Sequence, residues 1–275
     1  MTMFNDSKCT GCGLCIKDCS RQAIGMEGGK AKTINDNCNL CGHCIAVCPT
    51  GAVSLDVYDM NEVIEYDAKS FDIEPSTLLN FIKYRRSVRQ FSDKKVEQVY
   101  INNIIEGGRF TQTATNLQDV TYTVITENLE ALKQMTLATL HQMGTHILSE
   151  DSHASSPMMR QYAKYFLDLF KAYEENQGND GLFYNAPAVI MVKSSVNWSI
   201  NGALASSNME LMANAFGLGT FHCGLLIKAA EQNEMIGKLA GVGEGEQLVA
   251  CMPVGYPAVK YFRTVPRKKP DISWQ

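Results

Sequence analysis

From residue 76 onward, apolar residues recur mostly at helical spacing, broken by three short β-rich runs. Pro75-Ser76 opens the first helical stretch, with Ser76 placed to cap it, and Leu78, Leu79, Ile82 and Tyr84 follow on one face. The pattern repeats from Val96 to Glu106 and is expected to stop at Gly107-Gly108. Val120 to Thr126 is β-branched and predicts a strand. Leu129 to Met143 predicts a helix, and 144–157 a loop. Tyr162, Tyr165, Phe166, Leu169, Phe170 and Tyr173 then line one stripe of a long helix. Ala186 to Val192 is a continuous apolar run, as in a buried strand, and Gln247 to Val254 is a last strand. The 202–216 helix is apolar over much of its surface and belongs in a core or a subunit interface. Gly217-Leu218-Gly219 ends it. Helices alternating with strands predict an α+β layered domain over 76–275.

The first 57 residues follow another rule. Apolar pieces are short, Ala23-Ile24 and Ala52 to Leu55, and are expected to pair with each other as small strands. Gly25 to Lys30 reads as a turn. Residues 58–75 are acidic and without periodicity, which predicts a linker. Eight cysteines organise the module: Cys9, Cys12, Cys15 and Cys19 at C-x2-C-x2-C-x3-C, and Cys38, Cys41, Cys44 and Cys48 at the same spacing, followed by Pro49. An iron–sulfur cubane needs four soft thiolates, and a tight loop presents three of them around one face. The competing readings are a zinc site, which usually takes cysteines in two separated pairs, and a disulfide scaffold, which suits an oxidising compartment. The run resembles the two-cluster bacterial ferredoxins, in which the last cysteine of each run ligates the other cluster. That resemblance implies two [4Fe-4S] clusters, one on Cys9, Cys12, Cys15 and Cys48, the other on Cys38, Cys41, Cys44 and Cys19. Ser20 stands where the usual proline after the fourth cysteine is absent.

Composition narrows the rest. A formal charge of −4 and a pI near 5.8 lack the basic face of a nucleic-acid binder. No run of eighteen apolar residues and no charged leader appear, which predicts a soluble cytoplasmic protein without a membrane segment, and thiolate clusters suit a reducing, anaerobic cytoplasm. Three separated stretches could meet on one phosphate-bearing planar ligand: Arg85-Arg86-Ser87-Val88-Arg89, the polar run Gln112 to Gln118, and Arg263, Arg267, Lys268 and Lys269. Guanidinium groups suit phosphate because they offer a planar fork of donors. Taken singly, each stretch also reads as a solvated basic face, a polar loop or a charged tail.

Arg85 to Phe91 resembles the RRSxRxF opening of the nitroreductase family, residues 112–118 its PSxxNxQ loop, Gly217 to Gly224 its GLGTxxxG turn, and Pro253 to Pro257 its late strand and turn. The match runs in order over about 76–275, and the whole chain resembles ferredoxin–nitroreductase fusions. The resemblance implies an α+β, three-layer FMN-binding domain that forms a homodimer with FMN at the interface, behind a small N-terminal ferredoxin-like domain. It implies that Arg85, Arg86, Ser87 and Arg89 hold the phosphate and ribityl chain. Thr113, Ala114 and Asn116 would reach the flavin from the partner subunit. His222, Cys223 and Gly224 would line the ring near N5, largely through backbone, and Arg267 and Lys269 would close over the phosphate. Gln112 and Ala114 depart from the family's proline and serine.

The expected function is that of an oxidoreductase. Electrons pass from a low-potential donor, a ferredoxin or NAD(P)H, through both clusters to FMN and on to a small organic, nitroaromatic-like acceptor. The alternatives are a non-catalytic electron carrier and a flavin reductase of the same fold with other chemistry, such as dehalogenation. No catalytic acid–base side chain is expected. Cys223 is read as a small buried residue acting through its amide rather than as a nucleophile, and Cys251 as core. His141 and His146, five apart, are off the spacing that puts two ligands on one helix face.

Overall fold

The computed structural model describes residues 2–149 and 156–275, and it separates into two compact units. One comprises Met1–Glu74 together with Thr113–Leu117, the other Pro75–Gln112 with Gln118–Gln275.

In the first unit, β1 (Thr2–Phe4) is followed by α1 (Leu14–Asp18), β2 (Ile24–Glu27), β3 (Lys30–Thr33), α2 (His43–Ala46) and β4 (Val53–Leu55). The strand expectation needs correcting. Ile24 and Val53 do not share a ladder: β2 pairs with β3 as a hairpin around Gly28-Gly29, and β4 pairs with β1. Each half therefore borrows a neighbour that carries no cysteine pattern. The two short helices start alike, after Gly13 at φ +74 and Gly42 at φ +75, a backbone that favours glycine. The core is small and includes two of the thiols: Cys15, Ile24, Ala31, Cys44 and Val53. Beyond β4 lie a 3-10 turn (Met60–Glu62) and the one-turn α3 (Ala68–Phe71), with every side chain from 61 to 75 exposed.

The second unit opens with α4 (Pro75–Tyr84) and α5 (Gln98–Arg109), then β5 (Thr121–Ile125), α6 (Leu129–Leu148) and α7 (Pro157–Glu175). It continues through β6 (Ala188–Ser195), α8 (Ser199–Ala215), β7 (Gly219–Thr220), α9 (Gly224–Ala230), α10 (Glu234–Leu239) and β8 (Glu246–Gly255). The four strands form one antiparallel sheet in the order β5-β6-β8-β7. Its central strand β6 is buried at seven of eight positions, which explains the unbroken apolar run. Strand periodicity divides that run between two cores. Val189 and Met191 face Leu132, Leu137, Leu140 and Phe166 of α6 and α7. Ala188, Ile190 and Val192 face Ile101, Ile104, Met209 and Ala213 of α5 and α8. The result is helix, sheet, helix in three layers.

Two predicted helix ends are wrong, for one reason. α5 continues through Gly107 and Gly108 to Arg109, and α6 continues through Gly144 to Leu148. A Cβ on Gly107 would lie 2.4 Å from Met212 of α8, and one on Gly108 would lie 2.7 Å from the Tyr122 hydroxyl. A Cβ on Gly144 would lie 2.8 Å from the Ala163 carbonyl of α7. These glycines are contact points between elements, not stops. Of the predicted 144–157 loop, residues 150–155 lie outside the described residues. The remainder resolves into the end of α6 and into Ser156, which caps α7 by accepting from the Met159 amide at 3.2 Å.

Gly144→Val should therefore lower stability by about 1–3 kcal/mol through overpacking against backbone, read as a melting temperature several degrees lower. Gly237→Ala on α10, where a Cβ meets nothing within 4 Å, should be neutral or stabilising.

Candidate functional site

The eight cysteines of the first unit line two cavities. One is walled by Cys9, Cys12, Cys15 and Cys48, the other by Cys19, Cys38, Cys41 and Cys44, so each takes three thiols from one run and one from the other. The thiols stand around the cavity walls: among the described residues, no three or more His, Cys, Asp or Glu side chains converge closely enough for one metal ion. A zinc site draws its ligands to a single centre at about 2.3 Å, whereas a cubane spreads them over four corners. Backbone amides point at the sulfurs in repeated fashion. The Ala23 amide donates to Cys19 Sγ at 3.4 Å and the Ala52 amide to Cys48 Sγ at 3.3 Å, four residues on in each half. The Leu40 amide donates to Cys38 Sγ at 3.4 Å. Such bonds stabilise thiolates and tune cluster potential. The thiols are not equivalent: burial, then the neighbouring Cys38 and Cys41, push the Cys44 thiol up to about 11, while backbone amides hold the Cys9 thiol down. The donor set, the wall geometry and this mutual repulsion fit cationic iron–sulfur clusters.

Residues 113–117 fold with this unit. Thr115 (φ +51) and Asn116 (φ +58) take left-handed backbone, and the segment is tied to the second cysteine run. Asn116 Nδ2 donates to the Asn39 carbonyl at 3.0 Å, and Asn39 Nδ2 donates to the Thr115 carbonyl at 3.3 Å. Thr113 and Ala114 begin the same turn.

In the second unit the Arg85–Arg89 segment leaves α4 and runs beside β7. The Val88 amide donates to the Thr220 carbonyl at 3.1 Å, and a Cβ on Gly219 would meet Val88 at 2.6 Å, so only glycine lets the two segments close. Arg86 stacks 4.5 Å over the Tyr261 ring and donates to the Arg263 carbonyl at 2.8 Å. Arg89 lies 5.4 Å over the Phe221 ring, and Ser87 is exposed. Arg85 pairs with Glu210, a buried carboxylate on α8 whose Oε2 also stands 3.9 Å from His222 Nε2. Burial opposes the charge of Glu210, but His222 and Arg85 outweigh it and hold the carboxyl below its usual range. Arg85 Nε, Arg86 Nε and Thr220 Oγ1 are buried without a hydrogen-bond partner. Orphaned donors on two guanidinium groups at one junction fit an anionic ligand. Arg267 and Lys269 lie on the exposed segment beyond β8, where Arg267 donates to the Pro266 carbonyl at 3.3 Å.

Cys223 and Gly224 stand where the chain turns into α9. The Cys223 thiol is buried and donates to the Leu182 carbonyl at 3.6 Å, while its amide donates to the Cys251 carbonyl at 2.8 Å. Complete burial pushes the Cys251 thiol well up, whereas its contact with Cys251 lowers the Cys223 thiol. His141 stacks on Phe170 at 4.5 Å. Beside Arg89 opens a cleft of about 620 Å³, lined by Phe91, Tyr165, Asp168, Tyr184 and Asn185 among others. Its floor is fixed by buried Asp180, which accepts the amides of Leu182, Phe183 and Asn185 at 2.8–3.0 Å and pairs with Lys133 at 3.1 Å. Sequence reading missed Glu210 and Asp180. A lone charge in the apolar 202–216 run was the available signal for the first, and nothing local marked the second.

Two family models match the chain: the nitroreductase family over residues 82–256 and a 4Fe-4S dicluster domain over residues 8–52. Similar solved structures include a nitroreductase with bound FMN from Bacteroides fragilis NCTC 9343, 20% identical, covering 71% of this chain and 98% of that one with a TM-score of 0.54. A nitroreductase with bound FMN from Desulfitobacterium hafniense DCB-2 is 20% identical over 71% and 97%, with a TM-score of 0.53. A BluB-like flavoprotein from Clostridium difficile 630 is 20% identical over 72% and 96%, with a TM-score of 0.52. These likenesses establish the fold. No curated protein matches the chain. Among the described residues, no helix is long and apolar enough to cross a membrane.

With so few apolar residues in its core, the first unit should depend on its metal. Stripping iron with a chelator should release the amides of β1 to β4 to rapid hydrogen exchange while β6 stays protected. Unchanged protection in β1 to β4 would contradict this.

Proposed function

Because the chain belongs to the nitroreductase family and carries a 4Fe-4S dicluster domain on its N-terminal side, we propose that it relays electrons from a low-potential donor, through two [4Fe-4S] clusters, to FMN and on to a small organic acceptor of the nitroaromatic kind. It is an FMN-dependent oxidoreductase. The observation that carries the relay is the presence, in one chain, of two cavities each walled by four cysteines and a junction of partly unsatisfied guanidinium groups.

Residues 1–57 form the cluster module, 58–75 a linker and 76–275 the FMN domain. Cys9, Cys12, Cys15 and Cys48 hold one cluster, and Cys19, Cys38, Cys41 and Cys44 the other. Arg85, Arg86, Ser87 and Arg89, closed by Arg267 and Lys269, hold the phosphate and ribityl chain. The orphaned Nε atoms of Arg85 and Arg86 support this assignment. His222, Cys223 and Gly224 line the flavin largely through backbone, although the Cys223 amide is itself engaged by the Cys251 carbonyl. Thr113, Ala114 and Asn116 reach the flavin of a homodimer partner. A homodimer is further supported by α4, whose Leu78, Leu79 and Ile82 are 40–50% exposed in the single chain. The cleft beside Arg89 receives the acceptor, with Tyr165 and Tyr184 offering ring faces. When bound, the clusters supply one-electron storage and FMN the change to two-electron chemistry, while the protein supplies position and electrostatics. The donor is a ferredoxin or NAD(P)H, and the setting is cytoplasmic.

Cys41→Ala should leave FMN bound while abolishing turnover driven by the low-potential donor; turnover at the native rate would exclude the relay. Arg89→Ala removes a charge-assisted contact worth about 1.5–3 kcal/mol, so FMN should bind roughly 10- to 100-fold more weakly. Undiminished affinity in a fluorescence titration would remove Arg89 from the site.

A further inference from the structure

Glu210 holds two groups with one oxygen. Its Oε2 meets Arg85 Nη1 directly and stands 3.9 Å from His222 Nε2, on a ring that is 44% exposed. Arg85 is meanwhile short of a partner at its buried Nε. Among the described residues, no other charge on the elements packed against α8 answers Glu210. On α5, Glu106 and Arg109 pair with each other. On β6, Lys193 bonds to Thr123 and Gly241. On β8, Glu246 bonds to Thr121 and Gly243, and Cys251 lies in the core on the other face of the sheet.

A phosphate group carries nearly two negative charges at neutral pH and three acceptor oxygens. Seated at Arg85, it competes with Glu210 for the guanidinium. A buried carboxylate that loses its cation must find another or be neutralised. His222 is the group within reach, and the phosphate's own field adds to its attraction for a proton. We propose that binding of FMN passes Glu210 from Arg85 to His222, so that the site takes up a proton from solvent at His222 as the phosphate seats. This rests on the reading of Arg85 as a phosphate ligand. It leaves a charged imidazole next to Cys223 and Gly224, a proton held at the turn assigned to the flavin edge. His222 is thereby a positioning and proton-holding residue, and Glu210 its counter-ion.

The sign follows from linkage. A group that binds its proton more tightly in the complex favours binding at low pH, and the gain is lost as pH rises through its pKa in the complex. FMN affinity should fall with rising pH on this account. The second ionisation of the FMN phosphate, near pH 6, acts in the opposite direction and is common to all variants.

The test uses full-length, cluster-loaded protein from which FMN has been dialysed. Calorimetry in two buffers of different ionisation heat, and fluorescence titration between about pH 6 and 8, are run on wild type, Glu210→Gln and His222→Asn. Wild type should take up close to one proton per FMN, and its Kd relative to that of His222→Asn should rise by up to tenfold per pH unit. Both variants should lose the uptake, and riboflavin, which lacks the phosphate, should cause none in wild type. Buffer-independent heats in wild type, or uptake that persists in His222→Asn, would overturn the inference while leaving the FMN site intact. Failure of FMN to bind wild type at any pH would overturn the FMN reading, and this inference with it.

Discussion

Each thiol-walled cavity takes its fourth cysteine from the other half of the repeat, so neither half completes a cavity alone. Cys48 must reach the Cys9–Cys15 loop and Cys19 the Cys38–Cys44 loop. That crossing holds α1 against α2 and brings both runs into one core, where Cys15 and Cys44 sit with Ile24, Ala31 and Val53. So little apolar surface does not fold a chain securely, and four thiols facing one cavity repel when ionised. Cationic clusters reverse the second effect and thereby make good the first. On this account, metal binding and folding of this unit are one equilibrium.

The second unit solves a different problem, presenting cations beside an apolar sheet. The strict alternation of β6 sends its side chains into two separate cores and leaves the sheet edge at β7 free to take the Arg85–Arg89 segment. Gly219 allows that approach. The guanidinium groups gathered there are held by mixed means: Arg86 by an aromatic face and a carbonyl, Arg89 by an aromatic face, and Arg85 by a buried carboxylate. At Arg85 Nε and Arg86 Nε their hydrogen-bonding capacity is unspent, as an anion site would require.

Much of this was legible in the chain. Cysteine spacing marks the residues that wall the two cavities, and the Arg85–Arg89 run together with the Gly217–Gly224 turn marks the nitroreductase-family domain. Three of the four strands and the five longer helices of the second unit followed from periodicity, but the short β7, α9 and α10 did not. What failed was tertiary in origin. Gly107, Gly108 and Gly144 look like helix stops because a glycine that ends a helix and one that admits a neighbour are spelled the same way. The partner that decides between them, Met212 or the Ala163 carbonyl, lies far off in sequence. Likewise Ile24 gave no sign that it would pair with β3, nor Val53 that it would pair with distant β1, and Glu210 gained meaning only once Arg85 and His222 both met its carboxylate.

The central claim, that one chain carries both ends of an electron relay, is tested most directly by composition. Protein purified without oxygen should yield about eight irons, as many acid-labile sulfides and about one FMN per chain, the content of two [4Fe-4S] clusters and one flavin. Eight irons with no flavin, even after FMN is added back, would contradict the account and leave an iron–sulfur carrier in its place.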